Sequence, residues 1–480
     1  MVVDDALRRC QMQGRVRKDT GRYSAMAMVV KNNQSATRSL NQLNVNNKNL
    51  EKSLKKVSTG MKITSAEDDS SGYAISERMR VQIRGLDQAN SNTETGSSML
   101  KIAEDAVANS LDLLKTLKEK AINAANDTNT DEDRRIIQKE LDQTIAQIDD
   151  NAMVTYNGQY LLDGTKNSVV FEPGTKTSLT NHGLAETTTG DTKLVDLMDV
   201  NWNKLEIRST DSLTVSYVKQ GETHIITVSP VGDNTIRSVF QGNTDEGTPV
   251  QNDIVLFEEK ELGVDPLTGD TTYDYSCVGQ DEVGEWVYTP DNGNSLTFRA
   301  SEAGVAGQIA GLTFCFTDQH GNLKGTANAV MDNFTETVRA QDPSDDNSIV
   351  VHAGTRANQS VKVGITDMGS EALGLTWDGY TIDVSNQANA NAAINVFENA
   401  IQKALDQATA LGSALSRLSY TSSNLVTSSE NAQGSESTIR DADMAKEMTA
   451  YTKNNVLQQA AQSMLAQANQ NSSAVLSLLQ

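Results

Sequence analysis

The side chains best suited to chemistry are sparse in this chain. Its four histidines, His182, His224, His320 and His352, never stand at i, i+4, so the paired ligands of an HExxH zinc peptidase are missing. Each reads as a packed or surface residue. Cys10, Cys277 and Cys315 form no CxxC and too few pairs for a disulfide framework. Cys277 and Cys315 either pair across facing strands or stay as buried thiols. Asp265, Asp270 and Asp274 gather near one turn, but their spacing fails the EF-hand loop and fits an acidic hairpin better. Neither G-x-x-x-x-G-K-[ST] nor a strand-borne GxGxxG is present, which leaves nucleotide phosphates without a cradle. The expectation is a non-enzyme with no catalytic residue, cofactor or metal.

Charge narrows the partners. Against 41 basic residues stand 63 acidic ones, a net charge of -22 over 480 residues. Such a chain repels phosphate backbones and anionic lipid, so nucleic acid and membrane are not expected as partners. No run of about 18 apolar residues spans a bilayer, and no secretory h-region opens the chain. By that rule alone the location would be cytoplasmic. Residues 161–390 hold 34 acidic and 13 basic residues, net -21, leaving the two ends together near neutrality. All six prolines fall between Pro173 and Pro343, and Trp202, Trp286 and Trp377 with seven of eight phenylalanines lie between 171 and 377. The ends and the middle are therefore built differently.

Period supplies the elements. Leu40, Leu43, Asn47, Leu50, Leu54, Val57 and Met61 alternate by three and four, an a/d helical seam. Leu100, Ala103, Val107, Ser110, Leu114, Leu117, Ala121 and Ala124 repeat the pattern, as do Ile137, Leu141, Ile145 and Ile148. Near the other end Ile394, Phe397, Ile401, Leu411, Leu415 and Leu418 hold a long bundle seam. From Asn454 to Gln480 no residue is charged, yet Leu457, Ala460, Ala461, Met464, Leu465 and Ala468 recur at helical spacing. A helix that is apolar on one side and neutral on the other calls for burial against identical copies. In the middle, Leu213, Val215 and Tyr217 alternate ahead of Gly221 and Ile225, a hairpin signal. Turn residues at Asp265-Pro266, Pro290-Gly293 and His320-Asn322 add further hairpins. The fold class is mainly α with a β insert: terminal coiled-coil helices and a helical bundle carrying a central β-rich part.

Particular segments then carry a resemblance. MVVKNNQSATRSLNQL (28–43), LKKVSTGMKITSAEDDSSGYAISERMRVQIRGLDQANSN (54–92) and TYNGQYLLDGT (155–165), with ALGL (372–375), IDVSNQANANAAI (382–394), STIRDADMAKEM (437–448) and VLQQAAQSMLAQANQNSSAVLSLL (456–479), resemble bacterial flagellin. The resemblance implies a structural subunit that polymerises with itself into the flagellar filament for swimming. It also implies a division into paired terminal helices at 28–68 and 440–480, a helical bundle at 69–195 and 346–439, and a variable outer β-rich part at 196–345. Residues 1–27 are surplus to the family pattern and read as a non-native or disordered extension.

The resemblance further implies roles for residues. Leu40, Leu43, Leu50, Leu54, Val57, Leu457, Ala461, Met464, Leu465, Ala468, Leu476 and Leu479 would form the filament core. Asp68, Asp69 and Gly72 would make the loop between inner helix and bundle, accepting hydrogen bonds between subunits, with a helix stop and cap as the plainer role. Implied partners are an export chaperone on the C-terminus and the filament cap and hook-junction proteins. The implied location is extracellular, reached through the flagellar type III channel without a cleaved signal. Rival readings are a hook-filament junction protein and a surface adhesin using the acidic insert. Finally, the patch that a Toll-like receptor recognises in many flagellins corresponds to Thr116, Glu119, Lys120 and Glu140; the usual arginine and leucine are Thr116 and Lys120 here. Without the planar guanidinium and the apolar anchor, receptor signalling is expected to be weakened. A reporter-cell dose response checks this, and potency equal to that of a standard flagellin would overturn it.

Overall fold

The computed structural model describes residues 33–185, 187–241, 253–257, 260–263, 273–288 and 296–478. The surplus N-terminal segment, Cys10, the turns at Asp265-Pro266 and Pro290-Gly293, and Leu479 lie outside them, as do the side chains of Cys277 and Leu476. The chain divides into two compact units, one formed by residues up to Val81 and from Ala432 onward, the other by Gln82–Asn431.

Along the chain, helices α1 (Gln34–Thr59), α2 (Ser70–Ala124) and α3 (Asp131–Ala152) come first. Thr130 starts α3 with a reciprocal capping box to Asp133, and three acidic residues in the first turn complement the helix dipole. The β-rich middle follows. Its strands are β1 (Thr155–Tyr156), β2 (Gln159–Tyr160), β3 (Ser178–Asn181), β4 (Ser212–Lys219), β5 (Glu222–Val228), β6 (Ile254–Phe257), β7 (Lys260–Gly263), β8 (Tyr273–Gln280), β9 (Trp286–Tyr288), β10 (Leu296–Ala300), β11 (Ile309–Thr317) and β12 (Phe334–Val338). Two short helices interrupt them, α4 (Ile236–Gln241) and α5 (Gly325–Met331). After hairpins β13–β14 (Ile349–His352, Ser360–Val363) and β15–β16 (Thr376–Trp377, Tyr380–Thr381), helices α6 (Gln387–Arg440) and α7 (Met444–Leu478) complete the described chain.

All strand pairings among the described residues are antiparallel, in a four-stranded sheet of order β12-β3-β10-β6, two three-stranded sheets and three two-stranded hairpins. The β4–β5 hairpin turns through Gln220 and Gly221, both at positive φ, where glycine relieves the strain.

Two cores hold the second unit together. In the first, Leu100, Ala103, Val107, Leu114 and Leu117 of α2 meet Leu141, Ile145 and Ile148 of α3 and Phe397, Leu411 and Leu418 of α6. Ile394, Ile401 and Leu415 pack at its edge, so one row of the expected seam is fully buried and the alternate row half-buried. The second core centres on Phe240, Phe298, Phe314 and Phe334, with ring centroids 5.4 to 6.1 Å apart. It takes in Leu179, Leu184 and Leu194, upstream of the expected boundary at 196. Cys315 carries a free thiol, so the pairing alternative with Cys277 is not realised.

Asp332, which caps the C-terminal end of α5, accepts the Phe314 amide at 2.6 Å beside this aromatic core. Burial lifts its carboxyl from 3.8 to about 6. The folded state therefore holds this proton more tightly than the unfolded one, and raising the pH from about 4 to 6 charges a buried group and lowers stability. Asp332→Asn should remove that cost, so its stability relative to wild type should grow by up to about 3 kcal/mol between pH 4 and pH 7. Urea denaturation followed by tryptophan fluorescence measures the gap; a pH-independent gap would refute the assignment.

Candidate assembly surface on the paired terminal helices

In the first unit α1 and α7 run antiparallel. Asn33 opens α1 by accepting the Ala36 amide, and Gly60 closes it in the left-handed conformation at φ 70. Past Gly60, the Lys62 amide donates to the Arg440 carbonyl at 2.7 Å and the Ala442 amide to the Gly60 carbonyl at 2.9 Å, a two-residue ladder tying the two chain segments together. Arg440 is buried; its Nη1 donates to Glu77 Oε1 at 2.7 Å, and its guanidinium lies 5.6 Å from the Tyr73 ring centroid. That contact holds the Glu77 carboxyl below the usual range.

The loop between α1 and α2 uses its acids within the chain. Asp68 Oδ2 accepts from the Thr64 hydroxyl at 2.8 Å and the Thr64 amide at 3.1 Å, and these bonds, the hydroxyl first, depress its pKa. Asp69 Oδ1 accepts from the amides of Ser71 and Gly72 at 3.1 and 3.0 Å, capping α2. A Cβ on Gly72 would lie 2.6 Å from Asp69 Oδ2 and 2.7 Å from Ile63 Cδ1, so a larger residue there would have to displace the capping carboxylate or the Ile63 side chain. Stop and cap is thus what these residues do in the single chain.

The seam between α1 and α7 differs from the leucine seam that the period suggests. On α1 the less exposed residues include Ala36, Ser39, Leu43, Asn46, Leu50, Ser53 and Val57, with Asn47 and Lys56 beside them, and on α7 Tyr451, Asn454, Gln458, Ala461, Leu465 and Ala468, with Glu447, Ala450 and Asn455 beside them. Both rows step by three and four. Leu43, Leu50 and Val57 stand where expected and Asn47 is half-buried, but Ser39, Asn46 and Ser53 are covered where Leu40 and Leu54 are exposed. Polar bonds fill the seam: Asn46 Nδ2 donates to the Leu457 carbonyl at 3.1 Å, Asn454 Nδ2 to Ser53 Oγ at 2.9 Å, and Asn33 Nδ2 to the Ala468 carbonyl at 3.1 Å. Lys56 faces Glu447 at 3.8 Å.

Leucines displaced from this seam stand in the open. Leu40, Val45 and Leu54 of α1, and Met448, Val456, Leu457 and Met464 of α7, are 42 to 63% exposed. The correction has a simple cause. Ser39 and Leu40, or Ser53 and Leu54, differ by a 100° rotation, and a hydrophobicity pattern selects the leucine. In the chain the small polar layer lets the backbones approach and finds carbonyl and hydroxyl partners. What sequence reasoning missed, namely Asn46, Ser53 and Asn454, was signalled by the seven-residue spacing of Asn46 and Ser53 inside the same stripe.

Elsewhere, Thr116 and Glu119 are exposed on α2, and Lys120 is paired with Glu140 of α3 at 2.9 Å. A cavity of about 810 Å³ in the second unit is lined partly by Glu336 of β12 and by Arg339, Lys403, Asp406 and Gln407. Burial pushes the Glu336 carboxyl up and the Lys403 ammonium down. Among the described residues no group of three or more His, Cys, Asp or Glu side chains could hold a metal, and no helix is long and apolar enough to cross a membrane.

Comparison with known proteins fixes what such a pair of helices belongs to. The family pattern for the bacterial flagellin N-terminal helical region matches residues 30–167, and that for the C-terminal helical region matches 394–479. The flagellin of Clostridium tyrobutyricum is 31% identical over 445 residues, spanning 92% of this chain and 99% of that protein. The chain belongs to the bacterial flagellin family. Polar flagellin A of Vibrio parahaemolyticus is 29% identical, covering 95% of this chain and 100% of its own length. A solved structure of flagellar hook-associated protein 3 from Legionella pneumophila matches at 14% identity and a TM-score of 0.30, covering 75% of this chain and 97% of its own; that score adds nothing to the assignment. As a flagellin, the chain is a structural subunit of the extracellular flagellar filament and not an enzyme.

In this flagellin the Arg440 contacts should carry the local stability of the first unit. Arg440→Met removes the bond to Glu77, which Arg80 still faces at 3.6 Å, and the contact with the Tyr73 ring, and should lower the local stability of the first unit. Hydrogen exchange at Tyr73 to Ser76 would read the loss, and unchanged protection there would count against the role.

Proposed function

We propose that assembly proceeds by burial of the second apolar stripe of the α1–α7 pair against copies of itself. One observation carries this reading: the pair satisfies its own contact with amides and hydroxyls, while Leu40, Leu54, Leu457 and Met464 stay exposed. Large apolar side chains exposed along both helices of the pair mark an interaction surface. Leu43, Leu50, Val57, Ala461, Leu465 and Ala468 then act within the subunit, whereas the outward four act between subunits. Residues 54–92 add further subunit contacts, and the acidic 196–345 part lies on the solvent side, where its charge keeps filaments apart.

The same sticky surface explains the remaining partners. An export chaperone covers 440–480 before secretion through the type III channel, which reads an uncleaved N-terminal segment, and the filament cap and hook-junction proteins contact the chain at the growing and basal ends. The weakened Toll-like receptor interaction is supported by Lys120, whose ammonium is engaged by Glu140 where an apolar anchor is usual. A junction-protein role is less favoured, because similarity over the whole length is to filament subunits.

Burying a leucine contributes about 2 kcal/mol and each 1.4 kcal/mol is tenfold in association. Leu54→Asp or Met464→Glu should therefore raise the critical concentration for seeded polymerisation at least tenfold, and truncation after Asp443 should abolish it. Electron microscopy and sedimentation of chains started at Met28, with filament seeds, provide the test. Polymerisation at an unchanged critical concentration in both substituted chains would sink the proposal.

A further inference from the structure

The cavity of the second unit, about 810 Å³, falls in the size range of small-molecule sites. Edge strand β12, the segment after it and one face of α6 line it, the last through Lys403, Asp406 and Gln407 at i, i+3 and i+4. Most acids on its wall are engaged within the chain. Glu282 accepts from Gln341 Nε2 at 2.6 Å, Asp281 from the Val283 amide at 3.0 Å, Asp342 from the Val305 amide at 2.9 Å, and Asp406 from Arg339. Three buried groups are not fully engaged. The Glu336 side chain is 3% exposed, yet its Oε2 has no hydrogen-bond partner and lies 3.7 Å from Arg339 Nε, too far for one. Gln407, 6% exposed, accepts from the Thr366 hydroxyl at 2.8 Å through Oε1, which fixes the amide and leaves Nε2 without an acceptor. Lys403, 8% exposed, donates to the Ala372 carbonyl at 3.2 Å, one bond for three N–H donors.

These groups define what would fit. Glu336 lacks a donor, whereas Lys403 and Gln407 lack acceptors. Burial opposes both charges, and each charge favours the other across the cavity, although no ion pair joins them among the described residues. A simple anion would meet Lys403 and Gln407 but leave Glu336 beside a like charge, and a simple cation would do the same to Lys403. A small zwitterion satisfies both ends. We infer that this cavity binds a free α-amino acid, its carboxylate accepting from Lys403 Nζ and Gln407 Nε2 and its ammonium donating to Glu336 Oε2. Apart from Lys403 and Arg339, which is held by Asp406, every charged residue of the wall is acidic, so the site disfavours an acidic side chain and admits a neutral or basic one. Bound there, the amino acid ties β12 of the β-rich part to α6 of the bundle and stabilises the second unit.

Isothermal titration calorimetry on the full chain with glycine, L-serine, L-lysine and L-glutamate, and with acetate and ethylamine as probes of one charge each, tests this. L-serine or L-lysine should bind with a Kd below about 1 mM, and L-glutamate, acetate and ethylamine at least tenfold more weakly. Binding should slow hydrogen exchange in 334–341 and 366–372, the segments that line the cavity. Glu336→Gln and Lys403→Met should each weaken binding at least tenfold while helix content by circular dichroism is unchanged. If glycine, L-serine and L-lysine all fail to bind, the inference is overturned. Binding of acetate or ethylamine as tight as that of the amino acids, or undiminished binding in both variants, would overturn it too. Should a variant fail to fold, the exchange footprint on the unsubstituted chain decides: protection within those two segments supports the site, and protection confined to other segments overturns it.

Discussion

A pair of antiparallel helices joined through amides and hydroxyls is the constraint on which the rest depends. Two helices in contact cover one stripe each, and here that stripe is half polar. The cross-pair bonds of Asn33, Asn46 and Asn454 satisfy groups that would otherwise be stranded in the contact. Because the seam does not consume every leucine, the pair retains an outer apolar stripe.

Around this pair the local chemistry is conservative. Gly60, the Lys62 to Arg440 ladder and the Asp69 cap convert one helix end into the next helix start with few residues. Arg440 joins the backbone ladder, the Glu77 carboxylate and the Tyr73 ring in one buried side chain. In the second unit a different logic holds. Leucine, isoleucine and alanine knobs fill the bundle, while a phenylalanine cluster fills the β-rich part, which carries almost all of the excess negative charge.

Bundle helices were legible because their apolar residues have one place to go. Leu100, Val107, Leu114, Leu141 and Phe397 lie in one core to which α2, α3 and α6 all contribute, so period alone assigns their side. Hairpin β4–β5 was legible from alternation and Gly221. The terminal pair was half legible: Leu43, Leu50 and Val57 of the periodic seam turn toward the partner helix, whereas Leu40 and Leu54 of the same seam are exposed in the single chain. The seven-residue spacing of Ser39, Asn46 and Ser53 marked a rival stripe, but only the folded pair decides which stripe turns inward. Within the chain Asp68 and Asp69 bond Thr64, Ser71 and Gly72, the stop and cap that the sequence offered as their plainer role.

By itself, then, the sequence determined the family, the helical ends, the β-rich acidic middle and the absence of a nucleotide or zinc motif, since each depends on composition or spacing along the chain. Tertiary structure decided which face of each terminal helix turns inward, and that Lys120 is tied to Glu140. It also decided that Cys315 is free and that the second core begins before residue 196. These outcomes depend on which distant groups meet. A hydrogen bond between Asn46 and Leu457 spans more than four hundred residues of chain, and only the folded arrangement can make it stronger than the local preference for leucine.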